Sequence, residues 1–106
     1  MNIEMTHDGL FQALSDPRRR AILRLLRSGS KTAGELSEAF DVSKPTLSHH
    51  FGVLERAGLL RSERRGNFVV YTLQANALEE AAAALLELTG GSRSLPRVVP
   101  KKRSTP

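Results

Sequence analysis

The stretch SKPTLSHH, residues 43–50, ends in two adjacent histidines, His49 and His50. Imidazole side chains bind metal ions, transfer protons in enzyme active sites, or form hydrogen bonds with ligands and nucleic acids. Neighbouring residues of a helix point in different directions, so these two rings cannot hold one metal ion together. The only other histidine is His7, there is no cysteine, and no acidic residue is placed to orient either ring. These residues therefore argue against an enzyme and favour a polar surface that touches a partner.

The length and composition are those of one globular domain. A chain of 106 residues, 40% apolar and 25% charged, is long enough for a single modest core. No window is apolar enough to span a bilayer, and the N-terminus lacks the apolar centre of a signal peptide. The absence of cysteine excludes disulfides and thiolate metal sites and fits a reducing compartment. We therefore expect a cytoplasmic protein that has no membrane partner.

The net charge of +5 arises at the C-terminal end of the chain. Five of the 16 basic residues lie beyond Ser92, where there is no acid, and the other eleven balance the 11 acidic residues. The same segment is rich in glycine and proline, which is typical of a disordered chain. The sequence predicts a folded domain over residues 1–90 and a basic, disordered tail over residues 91–106. A basic surface indicates a polyanionic partner when the fold collects it on one face.

Helix-capping residues mark the organisation of the first half of the chain. Asp16 followed by Pro17 is typical of a helix N-terminus, and a short first helix precedes it. Thr32 and Glu35 have the spacing of a capping box and predict a third helix. Ser43 caps a fourth helix, and a short turn separates it from the third. Two helices joined in this way form a helix-turn-helix motif.

Beyond Gly58 the apolar residues alternate instead of following a helical period. The segments LLRSER and FVVYTL predict two strands, joined by the turn RGN. The helical period returns from Ala75 to Thr89. The order of these elements predicts a mainly α fold with a two-stranded β-wing, which is a winged helix-turn-helix.

The fourth helix divides into two faces at about 100° per residue. Leu47, Phe51 and Leu54 lie within one arc and are expected to face the core. The opposite face has no large apolar residue, and such a slim, hydrogen-bonding surface suits the major groove of DNA. An ordinary solvated face is the alternative interpretation. The predicted DNA-binding residues of this helix are Ser43, Lys44, Pro45, Thr46, Ser48, His49 and Arg56.

The helical arc also separates the two histidines. His49 points away from the core, and we expect a nucleic-acid contact rather than a metal ligand. His50 lies at the margin of the core, where we expect a structural histidine that is bonded to a neighbouring backbone group. The chain therefore predicts neither a metal site nor a cofactor at this pair.

Basic residues elsewhere extend the predicted DNA-binding surface. Arg18, Arg19 and Arg20 lie in the first turn of a helix, whose dipole repels cations. We expect some of them to pair with Asp16 or Glu35 and one to reach a phosphate. Arginines at a hairpin tip reach phosphates or the minor groove, although they also serve solubility. The predicted DNA-binding residues of the wing are Arg61, Arg64, Arg65, Gly66 and Asn67.

Three stretches carry a resemblance to a known family. LSDPRRRAILRLL, TAGELSEAFDVSKPTLSHHFGVLERAGLL and RRGNFVVYTL resemble the ArsR/SmtB family of bacterial winged-helix repressors, and within it the SdpR-type autorepressor branch. The resemblance covers about residues 8–90. It implies a homodimer that binds an inverted-repeat DNA operator and leaves when an effector arrives. It also implies that the fourth helix reads the major groove and that residues 61–67 form the wing.

The last helix independently predicts a helix-packing seam. Its apolar residues are spaced 3-4-3, and on a small domain they would otherwise form an exposed apolar strip. The resemblance implies that the first and last helices together build the dimer. The predicted dimerisation residues are Leu10, Phe11, Leu14, Leu78, Ala81, Leu85 and Leu88.

The chain departs from the family pattern in two places. Metal-sensing members carry two cysteines in the third helix, where this chain has GELSEAF, or Asp and His ligands in the last helix, where it has NALEEAAAALLELT. The effector is therefore expected to be an unknown ligand or protein rather than a metal. Gly52 stands where relatives commonly have a lysine, which removes one phosphate contact. A winged helix that serves only as a protein-interaction module is the alternative function.

Overall fold

The computed structural model describes the backbone of residues 2–90 and the side chains of residues 8–90; the predicted tail, 91–106, lies outside the described residues. Five helices and the two strands of the hairpin follow one another in the predicted order, and one additional short strand precedes the third helix. The elements are α1 (Asn2–Leu14), α2 (Pro17–Leu26), β1 (Lys31–Thr32), α3 (Ala33–Glu38), α4 (Lys44–Arg56), β2 (Leu60–Arg65), β3 (Phe68–Leu73) and α5 (Ala75–Leu88).

The helix starts are fixed by the capping residues that the sequence predicts. The Asp16 carboxylate accepts hydrogen bonds from the backbone N–H groups of Arg18 and Arg19, at 2.7 and 3.3 Å. Thr32 and Glu35 form the reciprocal capping box of α3, with bonds of 3.0 and 2.8 Å. These bonds satisfy N–H groups that have no partner within the helix, so the boundaries follow from local chemistry.

Helix α1 is longer than the short first helix that the sequence predicts. It begins at Asn2, well before the apolar spacing that starts at Leu10. Residues 2–9 contain only two large apolar residues, Ile3 and Met5, so the apolar period marks only part of the helix.

The predicted two-stranded wing is confirmed, and its hairpin belongs to a three-stranded antiparallel sheet that also includes β1. Strand β1 pairs with β3 through Lys31 opposite Tyr71 and Thr32 opposite Val70. A two-residue strand is too short to show alternation, and this one is defined by its partner rather than by its own sequence. The hairpin turns at Gly66, whose φ of 60° is a conformation that glycine adopts without strain. The sheet thereby ties the wing to the start of α3.

The core is formed where the helices converge on the base of the sheet. Its largest fully buried side chains come from all parts of the domain: Leu10, Ile22, Leu36, Leu54 and Leu59. Leu10 is 1% exposed and Ala81 is 2% exposed, and both belong to the one core cluster. These two members of the predicted dimerisation set are therefore buried within a single chain. The protomer uses them to pack α1 against α5.

Candidate nucleic-acid interface

Helix α4 is anchored by one face and capped at its start. Leu47, Phe51 and Leu54 are buried, which confirms the predicted inner face. The Ser43 hydroxyl accepts a hydrogen bond from the backbone N–H of Thr46 at 3.2 Å and donates one to the Thr46 hydroxyl at 2.9 Å. The cap and the buried stripe together fix both the start and the rotation of the helix.

The outer face of α4 is exposed and carries no large apolar side chain. All seven predicted DNA-binding residues of the helix lie on the exposed surface. Gly52 is half-buried because the Arg56 guanidinium folds back over it, and a Cβ at this glycine would lie 3.3 Å from Arg56 Nη1. Because Gly52 has no side chain, the helix surface is narrow at its centre. Hydroxyl, imidazole and cationic groups surround this glycine.

His49 and His50 occupy different environments, as the helical arc predicts. His49 is exposed, whereas His50 is 6% exposed. Arg19 Nη1 donates a hydrogen bond to His50 Nδ1 at 3.2 Å, which places the ring proton on Nε2 because a guanidinium only donates. The expected backbone partner of His50 was wrong; the partner is the Arg19 side chain. His50 Nε2 is buried without a hydrogen-bond partner among the described residues.

The electrostatic setting of His50 favours the neutral ring. Burial lowers the pKa of the His50 imidazole below its ordinary value, because the charged form loses its hydration. The Asp16 carboxylate opposes this effect and raises the pKa, while the Arg19 guanidinium lowers it further. His50 therefore acts as a neutral structural group and not as a cation facing DNA.

The arginines at the start of α2 hold the end of α1. Arg19 donates from Nε to the Ala13 carbonyl at 2.7 Å and from Nη2 to the Gln12 carbonyl at 3.0 Å. Arg20 donates to the Leu14 carbonyl at 2.8 Å. The last carbonyls of a helix lack partners and form the negative end of its dipole, so cations bind there. The expected pairing with the carboxylates of Asp16 or Glu35 was therefore wrong.

The wing presents its arginines to solvent. Arg61, Arg64, Arg65, Gly66 and Asn67 are all exposed. Arg65 forms an ion pair with Glu63 at 3.1 Å, and both side chains are more than half exposed. Such a pair contributes about 0–1 kcal/mol, so a phosphate can replace the carboxylate at little cost.

A hydrogen bond that the sequence does not reveal connects the wing to α4. The Ser62 hydroxyl of β2 donates to the Glu55 carboxylate of α4 at 2.6 Å. Both residues are polar and exposed, and nothing in their spacing distinguishes them from ordinary surface residues. Phe51 and Tyr71 add a ring contact between α4 and β3, with centroids 4.5 Å apart. Helix α4 and the wing are thus held at a defined relative orientation.

Comparisons with known proteins agree with this architecture. A family model described as a helix-turn-helix domain matches residues 14–63. The transcriptional repressor SdpR of Bacillus subtilis is 42% identical over 74 residues, which cover 70% of this chain and 82% of that protein. The chain belongs to the ArsR/SmtB family of winged-helix transcriptional repressors.

Solved structures place the whole described domain within this ArsR/SmtB family. An ArsR family transcriptional regulator has a TM-score of 0.76 at 33% identity, over 80% of this chain and 93% of that one. An ArsR-like transcriptional regulator from Rhodococcus sp. RHA1 has a TM-score of 0.73 at 27% identity, over 92% and 93%. The protein is accordingly a DNA-binding transcriptional repressor.

The described part of this ArsR/SmtB repressor was also compared with the requirements of a metal site and of a membrane-spanning helix. Among residues 8–90, no three His, Cys, Asp or Glu side chains come together in a way that would hold a metal ion. None of the helices in the described part of the chain is long and apolar enough to cross a membrane.

The seam of α5 exposes apolar side chains, in contrast to the polar outer face of α4. Leu85 is 51% exposed and Leu88 is 81% exposed, and Leu78 at the same seam is half-buried. Phe11 and Leu14 of α1 are also half-buried and pack on the core cluster. These five side chains are the part of the predicted dimerisation set that a second chain can reach.

Proposed function

We propose that the protein acts as a cytoplasmic homodimer that binds an inverted-repeat operator, including one in its own promoter. In each half-site, α4 enters the major groove and the β2–β3 hairpin lies on the flanking backbone or minor groove. The observation that carries this proposal is the outer face of α4, which is exposed, polar and slim while its opposite face is buried. This is the surface that a helix needs to approach base edges in a groove about 12 Å wide.

The side chains of α4 divide into two roles. Lys44 lies at the start of the helix and is suited to a phosphate, because its charge fixes position without reading sequence. Thr46, Ser48 and His49 offer short donors and acceptors toward base edges. Arg56, at the other end of the helix, reaches the backbone or a base beyond the half-site centre. Sequence preference should therefore depend on the middle group more than on the cations.

The wing supplies charge rather than sequence reading. Arg61, Arg64 and Arg65 project from a hairpin whose Ser62 is bonded to Glu55 on the recognition helix. Because the two elements are linked, phosphate contacts by the wing hold α4 at a fixed depth in the groove. Gly66 and Asn67 form the tip and allow a close approach to the backbone of DNA.

The homodimer rests on the seam of α5. Leu85 and Leu88 are exposed on one face of a helix whose inner residue, Ala81, is buried. A second copy of the same seam covers these leucines, and the two-fold axis then sets two recognition helices about 34 Å apart, one turn of DNA. Phe11 and Leu14 extend the contact along α1.

The basic tail, residues 91–106, is proposed to add affinity without specificity. Its five charges release counterions from DNA, and this contribution does not depend on the base sequence. Deletion of residues 92–106 should flatten the dependence of binding on salt and leave the ratio of operator to random DNA nearly unchanged. A collapse of that ratio would show instead that the tail reads a groove.

A gel-shift and footprint on the DNA upstream of the protein's own coding region tests the proposal. The expected result is protection of two symmetric half-sites whose centres lie about one helical turn apart. Random DNA of equal length is the control. Equal affinity for both DNAs would exclude a specific operator there, and no binding to either would favour the protein-interaction module.

A further inference from the structure

A cavity of about 320 Å³ lies between α3, α4 and β3. Apolar side chains form most of its wall, with contributions from each of the three elements. The volume falls at the lower end of the range for small-molecule sites, and a mostly apolar lining is typical of such sites. The apolar lining residues are Ala33, Leu47, Phe51, Val69 and Tyr71.

The polar side chains of the cavity are few, and one of them is cationic. Lys44, Ser48 and Ser37 line the cavity, and none of the lining residues is acidic. In the part of the chain that the structure describes, the Lys44 ammonium forms no ion pair or hydrogen bond. Burial, together with the Glu55 carboxylate, raises the pKa of the Tyr71 phenol further above neutral pH. A cation and neutral hydroxyl donors around an apolar cavity complement one anionic group on an apolar body.

We propose that this cavity binds a small aromatic carboxylate. Its ring lies against Phe51 and Leu47, and its carboxylate faces Lys44 and Ser48. The Phe51 and Tyr71 rings already contact each other at 4.5 Å, and an aromatic ligand adds to that cluster in the edge-to-face or offset arrangement that such rings prefer.

The position of the cavity gives the ligand an effect on DNA, and this part rests on the proposed function. Lys44 and Ser48 belong to the outer face of α4, and Val69 and Tyr71 belong to the wing strand β3. A carboxylate at Lys44 withdraws that cation from phosphate. Ligand and DNA therefore compete, and the acid acts as an effector that releases the repressor.

NMR amide mapping of the full chain without DNA tests the site directly, with benzoate as the probe. The expected shifts centre on Ala33, Gly34 and Val69. Benzamide, which has the same shape without the charge, should bind at least about tenfold more weakly, the effect of roughly one lost charge-assisted contact. Shifts that centre elsewhere, equal binding of benzamide, or no shift up to the solubility limit of benzoate would overturn the site.

Variants separate the contribution of the Lys44 charge to benzoate binding from the contribution of the cavity space. Lys44→Gln should weaken benzoate to the level of benzamide, whereas the control Lys31→Gln, a cation outside the lining, should leave benzoate unchanged. Ala33→Leu fills the cavity and should abolish binding, and Val69→Phe does the same from the opposite wall if the first variant fails to fold. Unchanged benzoate affinity in folded Lys44→Gln would contradict the proposed ligand class.

The effect on DNA is measured separately by fluorescence anisotropy of labelled operator. Benzoate should release the wild-type protein and leave Ala33→Leu bound. If benzoate binds but does not release DNA, competition between ligand and DNA is refuted, and the binding site is still supported by the NMR result. Absence of operator binding by the unliganded protein would refute the proposed function, and the NMR result would remain valid.

Discussion

Helices α4 and α5 are of similar length, 13 and 14 residues, but α4 buries four side chains and α5 buries only Ala81. Their exposed surfaces differ in chemistry. The outer face of α4 carries hydroxyls, an imidazole and cations around Gly52, whereas the seam of α5, beside Ala81, carries Leu85 and Leu88, 51% and 81% exposed. A polar, slim face can exchange water for base edges and phosphates, and an apolar face gains by meeting a second apolar face. The same fold thus presents one surface for DNA and another for protein.

The largest effect is expected from the apolar face. Leu85→Glu places a charge in the proposed dimer seam, and burying an unpaired charge is strongly unfavourable. We expect a monomer in light scattering and a loss of operator affinity of roughly 100-fold or more, because each half-site then binds without the effective concentration of the other.

Asn76→Glu is the matched control for Leu85→Glu. Asn76 is exposed on the opposite side of α5, in its first turn, where a carboxylate is tolerated or favoured by the helix dipole. The Asn76→Glu variant should remain dimeric, and its affinity for operator should be unaltered. If the wild-type protein were itself a monomer at micromolar concentration, the seam of α5 would not be a dimerisation surface, and the contrast with α4 would be refuted.

A smaller effect is expected where the inner side of α4 meets α1 and α2. Arg19→Met removes three hydrogen bonds from a half-buried guanidinium. The Ala13 carbonyl and His50 Nδ1 are left without a donor, whereas the Gln12 carbonyl keeps its hydrogen bonds from Ser15. We expect a loss of about 2–3 kcal/mol in the free energy of unfolding, measured in urea. Arg18→Met, at an exposed position, should cost little. Similar stabilities for the two variants would show that the Arg19 bonds contribute nothing net.

These contacts also show what the sequence could predict. The caps at Asp16, Thr32 and Ser43 and the rotation of α4 depend on residues close in sequence, so spacing was sufficient for them. The Arg19–His50 and Ser62–Glu55 bonds join polar residues that only the fold brings together. Strand β1 is likewise defined by its partner strand.

The spacing of the predicted dimerisation residues does not separate core from surface, for a related reason. A 3-4-3 spacing shows that a seam packs on something but not on which neighbour. The inner half of the seam, at Ala81, packs on Leu10 and the rest of the protomer's own core cluster, and only the outer half is left for a second chain.

The smallest effect is a dependence of stability on pH. The pKa of His50 is lowered in the folded state, mainly by burial, so the unfolded chain binds this proton more readily. Above an ordinary histidine pKa of about 6.5 both states are neutral and the effect is absent. As pH falls below that value the unfolded state gains the proton first, and stability declines. His50→Gln should show a shallower decline between about pH 6.5 and 5 in thermal unfolding; an unchanged slope would exclude His50 as its source.

The most direct test compares His49→Ala and His50→Ala on operator and on random DNA of equal length. His49 lies on the outer face of α4, so its replacement should reduce the preference for operator by about 1–3 kcal/mol and leave the melting temperature almost unaltered. His50 lies on the inner side, so its replacement should lower stability and leave the preference unchanged. If His49→Ala weakens both DNAs equally, this residue positions the protein without reading bases. If His50→Ala alone destroys the preference, the outer face of α4 is not the surface that reads DNA.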